Sequence, residues 1–328
     1  MRIAIWGALF TALVIVVILG PLFIPFLRRL RFGQPIRSDG PQRHLIKSGT
    51  PTMGGLLFLP GFLLTGLIWS RGSAGFWLVF LAFIIFGLIG FSDDLLKVVW
   101  RRSLGLKARQ KLLGQFAGAL VILILASFLF KRGTDIIIPV SGLHWDLGWL
   151  YYPVMATFIV GLVNAVNLTD GLDGLATGIS FLVFLGFLLI CLAAVNNPPL
   201  PLLNYGDLAI AAAIMAGCCL GFLVYNRYPA KLFMGDTGSL ALGGVLASFA
   251  VLTKTEIVFF LLGLVYVLEV GSVFLQVFSF QLLGRRIFRM SPLHHHFEMI
   301  GWPEQKVVLL FWLLAAAGVV GALILVSI

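Results

Sequence analysis

Five polar segments interrupt an otherwise apolar sequence, and the sharpest of them contains two adjacent aspartates. Asp93 and Asp94 directly follow an apolar run, residues 75–90, that is long enough to cross a bilayer, and Lys97 lies one helical turn later. Adjacent carboxylates repel each other, and charge is costly at a membrane boundary. We therefore expect a divalent cation, an anionic substrate held through that cation, or a proton-transfer role to stabilise the pair.

A second polar segment, residues 164–174, lies between two apolar runs. Its two glycines allow tight turns or a close approach of the backbone. One polar residue would suffice to cap the following helix, so the larger number indicates a binding site. The polar residues are Asn164, Asn167, Thr169, Asp170 and Asp173.

A third segment, residues 226–239, places Asp236 between Gly235 and Gly238 at the predicted start of a helix. The helix dipole keeps a carboxylate ionised there, so Asp236 is a candidate metal ligand. Backbone N–H groups and neighbouring hydroxyls at the same helix end suit a phosphate.

Three consecutive histidines, His294, His295 and His296, follow Pro292 in a fourth segment. They cannot all bind one metal ion from a single helix face, and the segment lacks the spacing of a zinc site. Imidazoles that donate hydrogen bonds to phosphate fit this pattern better.

The fifth segment, residues 47–55, is rich in Lys, Thr and Gly and opens a predicted span. This composition suits either a lipid head group or another anion. Outside the five segments, Glu269 lies within an apolar run, where a carboxylate is a functional candidate by default. Gly263 and Gly271 flank it and predict a bend in its helix.

The elements that must position these residues are membrane helices, because 60% of the 328 residues are hydrophobic and 11% are charged, with a mean hydropathy of +1.06. We predict an all-α polytopic membrane protein with about ten spans, organised as one catalytic domain over residues 1–328. The spans are residues 3–27, 52–69, 75–91, 112–130, 149–166, 175–195, 207–225, 239–252, 257–280 and 307–328.

The basic residues predict the orientation of these spans. The loops after the odd-numbered spans contain 18 of the 23 lysines and arginines, so these loops are predicted to be cytoplasmic and both termini extracytoplasmic. All five polar segments then fall on the cytoplasmic side, which predicts one cytoplasm-facing site. The net charge of +10 is explained by topology, and no nucleic-acid partner is expected.

The outer loops contain one recognisable element, a β-hairpin over residues 134–149 with a turn at Ser141-Gly142. His144 in this hairpin is expected to be a surface residue. The three cysteines lie within apolar runs and are predicted to be buried and unpaired: Cys191, Cys218 and Cys219.

The order of these segments resembles the phospho-N-acetylmuramoyl-pentapeptide-transferase family, within the polyprenyl-phosphate N-acetylhexosamine-1-phosphate transferases. The resemblance extends over essentially the whole chain, and His294–His296 after Pro-Leu favour this family over the GlcNAc-1-phosphate transferases. It implies Mg²⁺-dependent transfer of phospho-MurNAc-pentapeptide from UDP-MurNAc-pentapeptide to undecaprenyl phosphate, giving lipid I and UMP. It also implies a homodimer, among membrane lipids, in the bacterial inner membrane.

The resemblance further implies roles for individual residues. Asp236 would bind Mg²⁺, Asp93 and Asp94 would act on the lipid phosphate or the metal ion, with Asp93 favoured as the base, and His294 would take part in catalysis. The remaining residues would bind substrate: Lys47, Thr52, Lys97, Lys111, Asn167, Asp170, Asp173, Asn226, Phe233 (by stacking on uracil), His295 and His296. Lys111 is matched less securely, because the preceding stretch varies in length.

Three other functions are compatible with parts of the pattern. A GlcNAc-1-phosphate transferase would share most of the motifs. A prenyltransferase with two aspartate motifs would need an Asp-x-x-Asp cluster at Asp94, where Leu95-Leu96-Lys97 follows instead. A cation-coupled transporter would need polar residues in the middle of the membrane, where only Glu269 is predicted. The choice between direct attack and a phospho-enzyme stays open.

Overall fold

The computed structural model describes residues 1–29, 49–70, 72–99 and 105–327, and nearly all of them form helices. The long helices are α1 (Arg2–Arg29), α2 (Phe58–Trp69), α3 (Ala74–Val99), α4 (Ala108–Phe130), α5 (Tyr151–Thr169), α6 (Leu175–Ala193), α7 (Tyr205–Asn226), α8 (Gly235–Thr253), α10 (Leu264–Leu283) and α12 (Glu304–Ser327). A short helix, α9 (Phe259–Leu262), lies between α8 and α10, and another, α11 (Leu293–Met299), lies between α10 and α12.

Nine helices of the described residues are long and apolar enough to cross a membrane, which confirms the predicted polytopic helical fold. The second predicted span is shorter than the others. It consists of a 3₁₀ turn, Gly54–Leu57, followed by α2, and together they form an apolar helix over Gly54–Trp69.

Helix α8 is the centre of the bundle. Of its most apolar 18-residue stretch, 94% is buried, compared with 33% for α1 and for α4. It packs along α3 and α5, while α7 packs between α1 and α6. Small residues let neighbouring helices approach α8 closely, and the two ends of this central helix therefore fix the positions of whatever surrounds them.

Three predicted spans differ in their bounds from the observed helices. Helix α3 continues beyond its predicted span, through Asp93 and Asp94 to Val99, so Lys97 lies one helical turn after Asp93 as predicted. Helix α8 begins at Gly235, before its predicted span, which confirms the helix start predicted at Asp236. The ninth predicted span is broken at Gly263, which separates α9 from α10. The predicted bend is thus a break at Gly263, while α10 runs through Gly271 without interruption.

The predicted hairpin is present at the far end of α8. Strand β1 (Asp135–Ile137) pairs in antiparallel register with β2 (His144–Asp146), so that Asp135 lies opposite Asp146. The side chain of His144 is 60% exposed, as expected, and its Nδ1 lies 2.6 Å from Asp135 Oδ2. The three cysteines are buried and free, which confirms the prediction for them.

A buried ion cluster joins this hairpin to the end of α8. The fully buried Arg132 guanidinium pairs with Glu256 and donates a hydrogen bond of 2.8 Å to the Val251 carbonyl oxygen. Lys254 Nζ donates to both oxygens of Asp135, at 2.7 and 2.8 Å. Although burial alone would raise it, the bonds from Lys254 and His144 lower the pKa of Asp135 to about 2. The cluster is a structural anchor with complementary charges.

Removing one member of this cluster should destabilise the protein. The substitution Glu256→Gln leaves the Arg132 charge buried without its partner, which costs about 3–5 kcal/mol in comparable buried pairs. We expect the melting temperature in detergent to fall by several degrees. The control is His144→Ala, whose exposed side chain should contribute little. Equal melting temperatures for wild type and Glu256→Gln would contradict this role for the Arg132–Glu256 pair.

Candidate active site

Three carboxylates converge at the opposite end of α8. Asp93 and Asp94 come from the end of α3 and Asp236 from the first turn of α8, and one oxygen from each lies within 4.8 Å of the others. Asp93 and Asp94 are 3% and 2% exposed. Sequence reasoning predicted that these residues share a site, and the structure brings them together across more than 140 positions of sequence.

Two lysines compensate the charge of these carboxylates. Lys97 Nζ lies 2.6 Å from Asp93 Oδ2 and 2.9 Å from Asp236 Oδ2. Lys111 Nζ, from the first turn of α4, lies 2.8 Å from the same Asp236 oxygen. Lys111 is the less secure of the two lysines in the sequence comparison. In the structure its ammonium group contacts the same Asp236 oxygen as that of Lys97.

The N-terminus of α8 is built to hold the carboxylates. Asp94 Oδ2 accepts hydrogen bonds from the backbone N–H and the hydroxyl of Thr237, at 2.8 and 2.7 Å. Asn167 Nδ2 donates to Asp236 Oδ1 at 2.8 Å and also to Ser239. The positive end of the helix dipole adds to this stabilisation. Asp94 thereby anchors α3 to α8, and Asn167 orients Asp236.

A close crossing of two helices sets the distance between these carboxylates. At Gly90, three residues before Asp93, a Cβ atom would lie 2.0 Å from the carbonyl oxygen of Asp236. Any larger residue would separate α3 from α8. Gly235 has φ +73°, and a Cβ atom there would lie 2.7 Å from Asp94 Oδ2, so the turn before Asp236 also requires glycine.

Backbone hydrogen bonds join residues 51–54, which precede α2, to the turn before Asp236. Phe233 N donates to Pro51 O at 2.9 Å, and Gly54 N donates to Phe233 O at 2.8 Å. The Thr52 hydroxyl is buried beside Gly235 and has no hydrogen-bond partner among the residues that the structure describes. Thr52 and the half-buried Phe233 thus adjoin the cluster, whereas Lys47 lies outside the described residues.

The polar segment after α5 forms a further wall. Burial raises the pKa of Asp170 well above its usual range, and the nearby carboxylates of Asp236, Asp94 and Asp173 raise it further. Asp173 Oδ2 accepts a hydrogen bond of 2.9 Å from Ala230 N. Among the described residues, the carboxyl group of Asp170 has no hydrogen-bond partner, although its backbone N–H donates to the Asn167 carbonyl oxygen. The carboxyl group is therefore left for a ligand.

Asn226 has a structural position next to this wall. Its Oδ1 accepts hydrogen bonds from Gly174 N at 3.2 Å and from the Thr177 hydroxyl at 2.7 Å, and its Nδ2 donates to Leu232 O at 3.0 Å. The side chain is 3% exposed. It holds the Asp170 segment against the loop before α8. Its predicted contact with the nucleotide stays a prediction.

The three histidines of α11 have different surroundings. His294 is 1% exposed and lies against Gly171, where a Cβ atom would be 2.2 Å from His294 Nε2. His295 Nδ1 lies 2.8 Å from Glu298 Oε2, and His296 Nδ1 accepts a hydrogen bond from Arg289 N at 3.1 Å. Of the three, His294 is the one that the structure places against the Asp170 segment.

The carboxylate cluster fits a divalent cation. Carboxylate oxygens are the ligands that Mg²⁺ prefers, and three of them from separate positions lie close enough to share one ion. Asp94 Oδ1 is 3.8 Å from Lys97 and makes no hydrogen bond with another described residue. Asp236 Oδ2 lies within 3 Å of both lysine ammonium groups, so positive charge already gathers at this oxygen.

Sequence reasoning missed one pair that positions the site. Gln115, fully buried in α4, exchanges hydrogen bonds with Asn164 of α5, and the shorter of the two is 2.7 Å. Gln115 lies one turn after Lys111, and Asn164 lies one turn before Asn167. The pair therefore fixes the relative positions of two side chains that both contact Asp236. An amide within an apolar run was the available signal.

The helical bundle and this arrangement of carboxylates, lysines and a histidine are those of an integral membrane enzyme that acts on phosphorylated substrates. Residues 76–254 match the sequence profile described as glycosyl transferase family 4. Residues 47–59 match signature 1 of the phospho-N-acetylmuramoyl-pentapeptide-transferases.

Relatives named phospho-N-acetylmuramoyl-pentapeptide-transferase align with nearly the whole chain. The protein of Desulfitobacterium hafniense is 54% identical over 317 residues, or 95% of both chains. That of Moorella thermoacetica is 52% identical over 97% of both chains. That of Heliobacterium modesticaldum is 49% identical over 95% of this chain and 94% of its own length. The chain belongs to the phospho-N-acetylmuramoyl-pentapeptide-transferase family, and it is a bacterial multi-pass membrane protein.

The glycine crossing of α3 and α8 can be tested with a matched pair of variants. Gly90→Ala should lower turnover at least tenfold and lower the melting temperature, because it separates Asp93 and Asp94 from Asp236. Gly87→Ala, one turn earlier, adds a Cβ atom 3.5 Å from Ala241 Cβ, an ordinary contact, and should be tolerated. Equal activity of the two variants would refute the requirement for a close crossing.

Proposed function

We propose that the protein transfers phospho-MurNAc-pentapeptide from UDP-MurNAc-pentapeptide to undecaprenyl phosphate, giving lipid I and UMP. The observation that carries this proposal is the convergence of Asp93, Asp94, Asp236, Lys97 and Lys111 at one end of the bundle, in a chain of this family. Relatives named for the MurNAc-pentapeptide enzyme favour it over a GlcNAc-1-phosphate transferase or a transporter.

The location of the cluster suits these two substrates. A polyprenyl phosphate lies in the bilayer with its phosphate at the interface, whereas a nucleotide sugar arrives from water. The cluster lies at the ends of membrane helices, and the distribution of basic residues supports a cytoplasmic location for this end. Both termini are then extracytoplasmic, in the bacterial inner membrane. The family resemblance also implies a homodimer.

In the reaction, an oxygen of the lipid phosphate forms a bond to the sugar-linked phosphorus of the UDP-sugar. The bond from that phosphorus to the bridging oxygen breaks, and UMP leaves with that oxygen. Lys97 and Lys111 would turn from Asp236 to neutralise the phosphates, because phosphoryl transfer depends mainly on positioning and charge neutralisation. Asp93 would accept a proton from the lipid phosphate if it enters protonated.

The other residues would hold the nucleotide sugar. Phe233 would stack on uracil, and Asn167 and Thr52 would lie beside the diphosphate. We retain as further substrate-binding residues Lys47, Asp170, Asp173, Asn226, His295 and His296, with His294 in the catalytic group. A bound Mg²⁺, held chiefly by Asp236 with Asp93 and Asp94 nearby, would supply charge neutralisation for the diphosphate and for the departing UMP.

The reaction can be tested with purified protein in detergent. UDP-MurNAc-pentapeptide, undecaprenyl phosphate and Mg²⁺ should yield UMP, and EDTA should abolish the yield in a manner that added Mg²⁺ restores. UDP-GlcNAc should be used poorly. The absence of UMP under all of these conditions would refute the proposed function, and equal use of UDP-GlcNAc would refute the assignment of the sugar.

The role of Asp236 can be tested against a control in an equivalent helix position. Asp236→Asn should lower turnover by at least about 1,000-fold, because it removes the carboxylate expected to bind the metal ion. Asp207 lies in the first turn of α7, at the opposite end of the bundle, and Asp207→Asn should keep most of the activity. Near-normal turnover in Asp236→Asn, with unchanged Mg²⁺ dependence, would exclude Asp236 as an essential ligand.

A further inference from the structure

Glu269 and His294 form a buried pair whose hydrogen bonding is incomplete. Glu269, in α10, is 0% exposed and His294 is 1% exposed. Glu269 Oε2 lies 3.2 Å from His294 Nδ1, yet neither side chain makes an aligned hydrogen bond within the described part of the chain. Both carboxylate oxygens of Glu269 and both ring nitrogens of His294 are buried and lack such a bond. The pair therefore contains four buried polar atoms without a proper partner.

Stability does not explain this arrangement. A carboxylate within a membrane span is costly unless its oxygens are bonded, and the two hydroxyls one turn away on α10 bond to other groups. The hydroxyl of Ser272 donates to the backbone carbonyl oxygen of Glu269. Tyr266, one turn before Glu269, shares a hydrogen bond of 2.7 Å with Ser180. By comparison, the neighbouring His295 is hydrogen-bonded to Glu298 at 2.8 Å. An apolar residue at position 269 would fill the same space at lower cost.

The other edge of the His294 ring faces the active site. A Cβ atom on Gly171 would lie 2.2 Å from His294 Nε2, so this nitrogen rests directly against the backbone that follows Asp170. The Asp170 carboxyl group is close enough to Asp236, Asp94 and Asp173 for their negative charges to act on it, so it adjoins the carboxylate cluster. The ring thus lies between the Glu269 side chain of α10 and the backbone of the candidate substrate site at Gly171.

We propose that Glu269 is a positioning residue for His294 in the transfer reaction, a role that rests on the proposed function. Its carboxylate accepts the Nδ1–H of His294 and holds the ring so that Nε2 donates a hydrogen bond to a phosphate oxygen of the bound substrate. An imidazole that carries a hydrogen at both nitrogens can donate to the carboxylate from one edge and to a phosphate oxygen from the other. Binding of substrate would align the Nδ1–H with Glu269 and Nε2 with the phosphate oxygen, because catalytic hydrogen bonds often tighten only in the complex with substrate.

This role predicts opposite effects on activity and stability. Glu269→Leu removes a buried carboxylate, so the melting temperature should be unchanged or higher. Its kcat should nevertheless fall about 100-fold, because His294 loses its orientation. Glu269→Gln keeps an oxygen that can accept the Nδ1–H, and its kcat should be about tenfold above that of Glu269→Leu. A purely structural role would instead lower stability and activity together.

A second measurement tests whether Glu269 acts through His294. In the His294→Gln background, Glu269→Leu should change the remaining rate less than threefold, because the two residues act as one unit. The control is Glu256→Gln, which removes a buried carboxylate at the other end of the bundle. It should lower the melting temperature and keep kcat close to that of the wild type at temperatures where the protein is folded.

The outcomes separate the two proposals. Wild-type protein that releases no UMP would refute the proposed function itself. Wild-type turnover together with a Glu269→Leu kcat within threefold of it would overturn the positioning role alone. A loss of kcat in proportion to a loss of folded protein would also overturn it, as would a further 100-fold loss in the His294→Gln background.

Discussion

The mutual repulsion of Asp93, Asp94 and Asp236 is the constraint on which the site depends. One oxygen from each lies within 4.8 Å of the others, and two like charges about 4 Å apart repel by about 4 kcal/mol if the effective dielectric constant is about 20. The structure offsets this cost with two ammonium groups, with the N-terminus of α8 and with the amide of Asn167. The helices that supply these groups must therefore approach closely, which explains the glycine at position 90 and the small residues of α8.

The two ends of α8 show how differently a membrane protein can use buried charge. At the hairpin end, Arg132 is paired with Glu256, and Lys254 is paired with Asp135. At the other end, the carboxyl group of Asp170 makes no hydrogen bond with another described residue, and Glu269 meets His294 without an aligned one. Buried ion pairs anchor the fold at the hairpin end. Buried polar groups without an aligned hydrogen bond at the other end indicate where a ligand would supply the partner.

Much of the fold could be predicted from the sequence, because a bilayer imposes length and hydropathy on each span. The span count, the hairpin and the grouping of Asp93, Asp94 and Asp236 followed from such patterns and from the family resemblance. The end of α3 at Val99 could not be predicted in this way, since polarity marks a boundary of the membrane and not the end of a helix. The ion pairing of Lys111 and the hydrogen bond between Gln115 and Asn164 depend on contacts between distant segments, which no local pattern encodes.

The surroundings of the two adjacent aspartates also favour different roles for them. Asp94 Oδ2 is held by two hydrogen bonds from Thr237, so this residue is fixed to the backbone of α8 and cannot move without disturbing the helix crossing. Asp93 Oδ1 accepts a hydrogen bond from Leu106 N, while its Oδ2 is held by Lys97 alone at short distance. A phosphate that attracts Lys97 would release that oxygen. Asp93 is therefore the better candidate for the base, and Asp94 is the better candidate for the residue that keeps the metal-binding geometry.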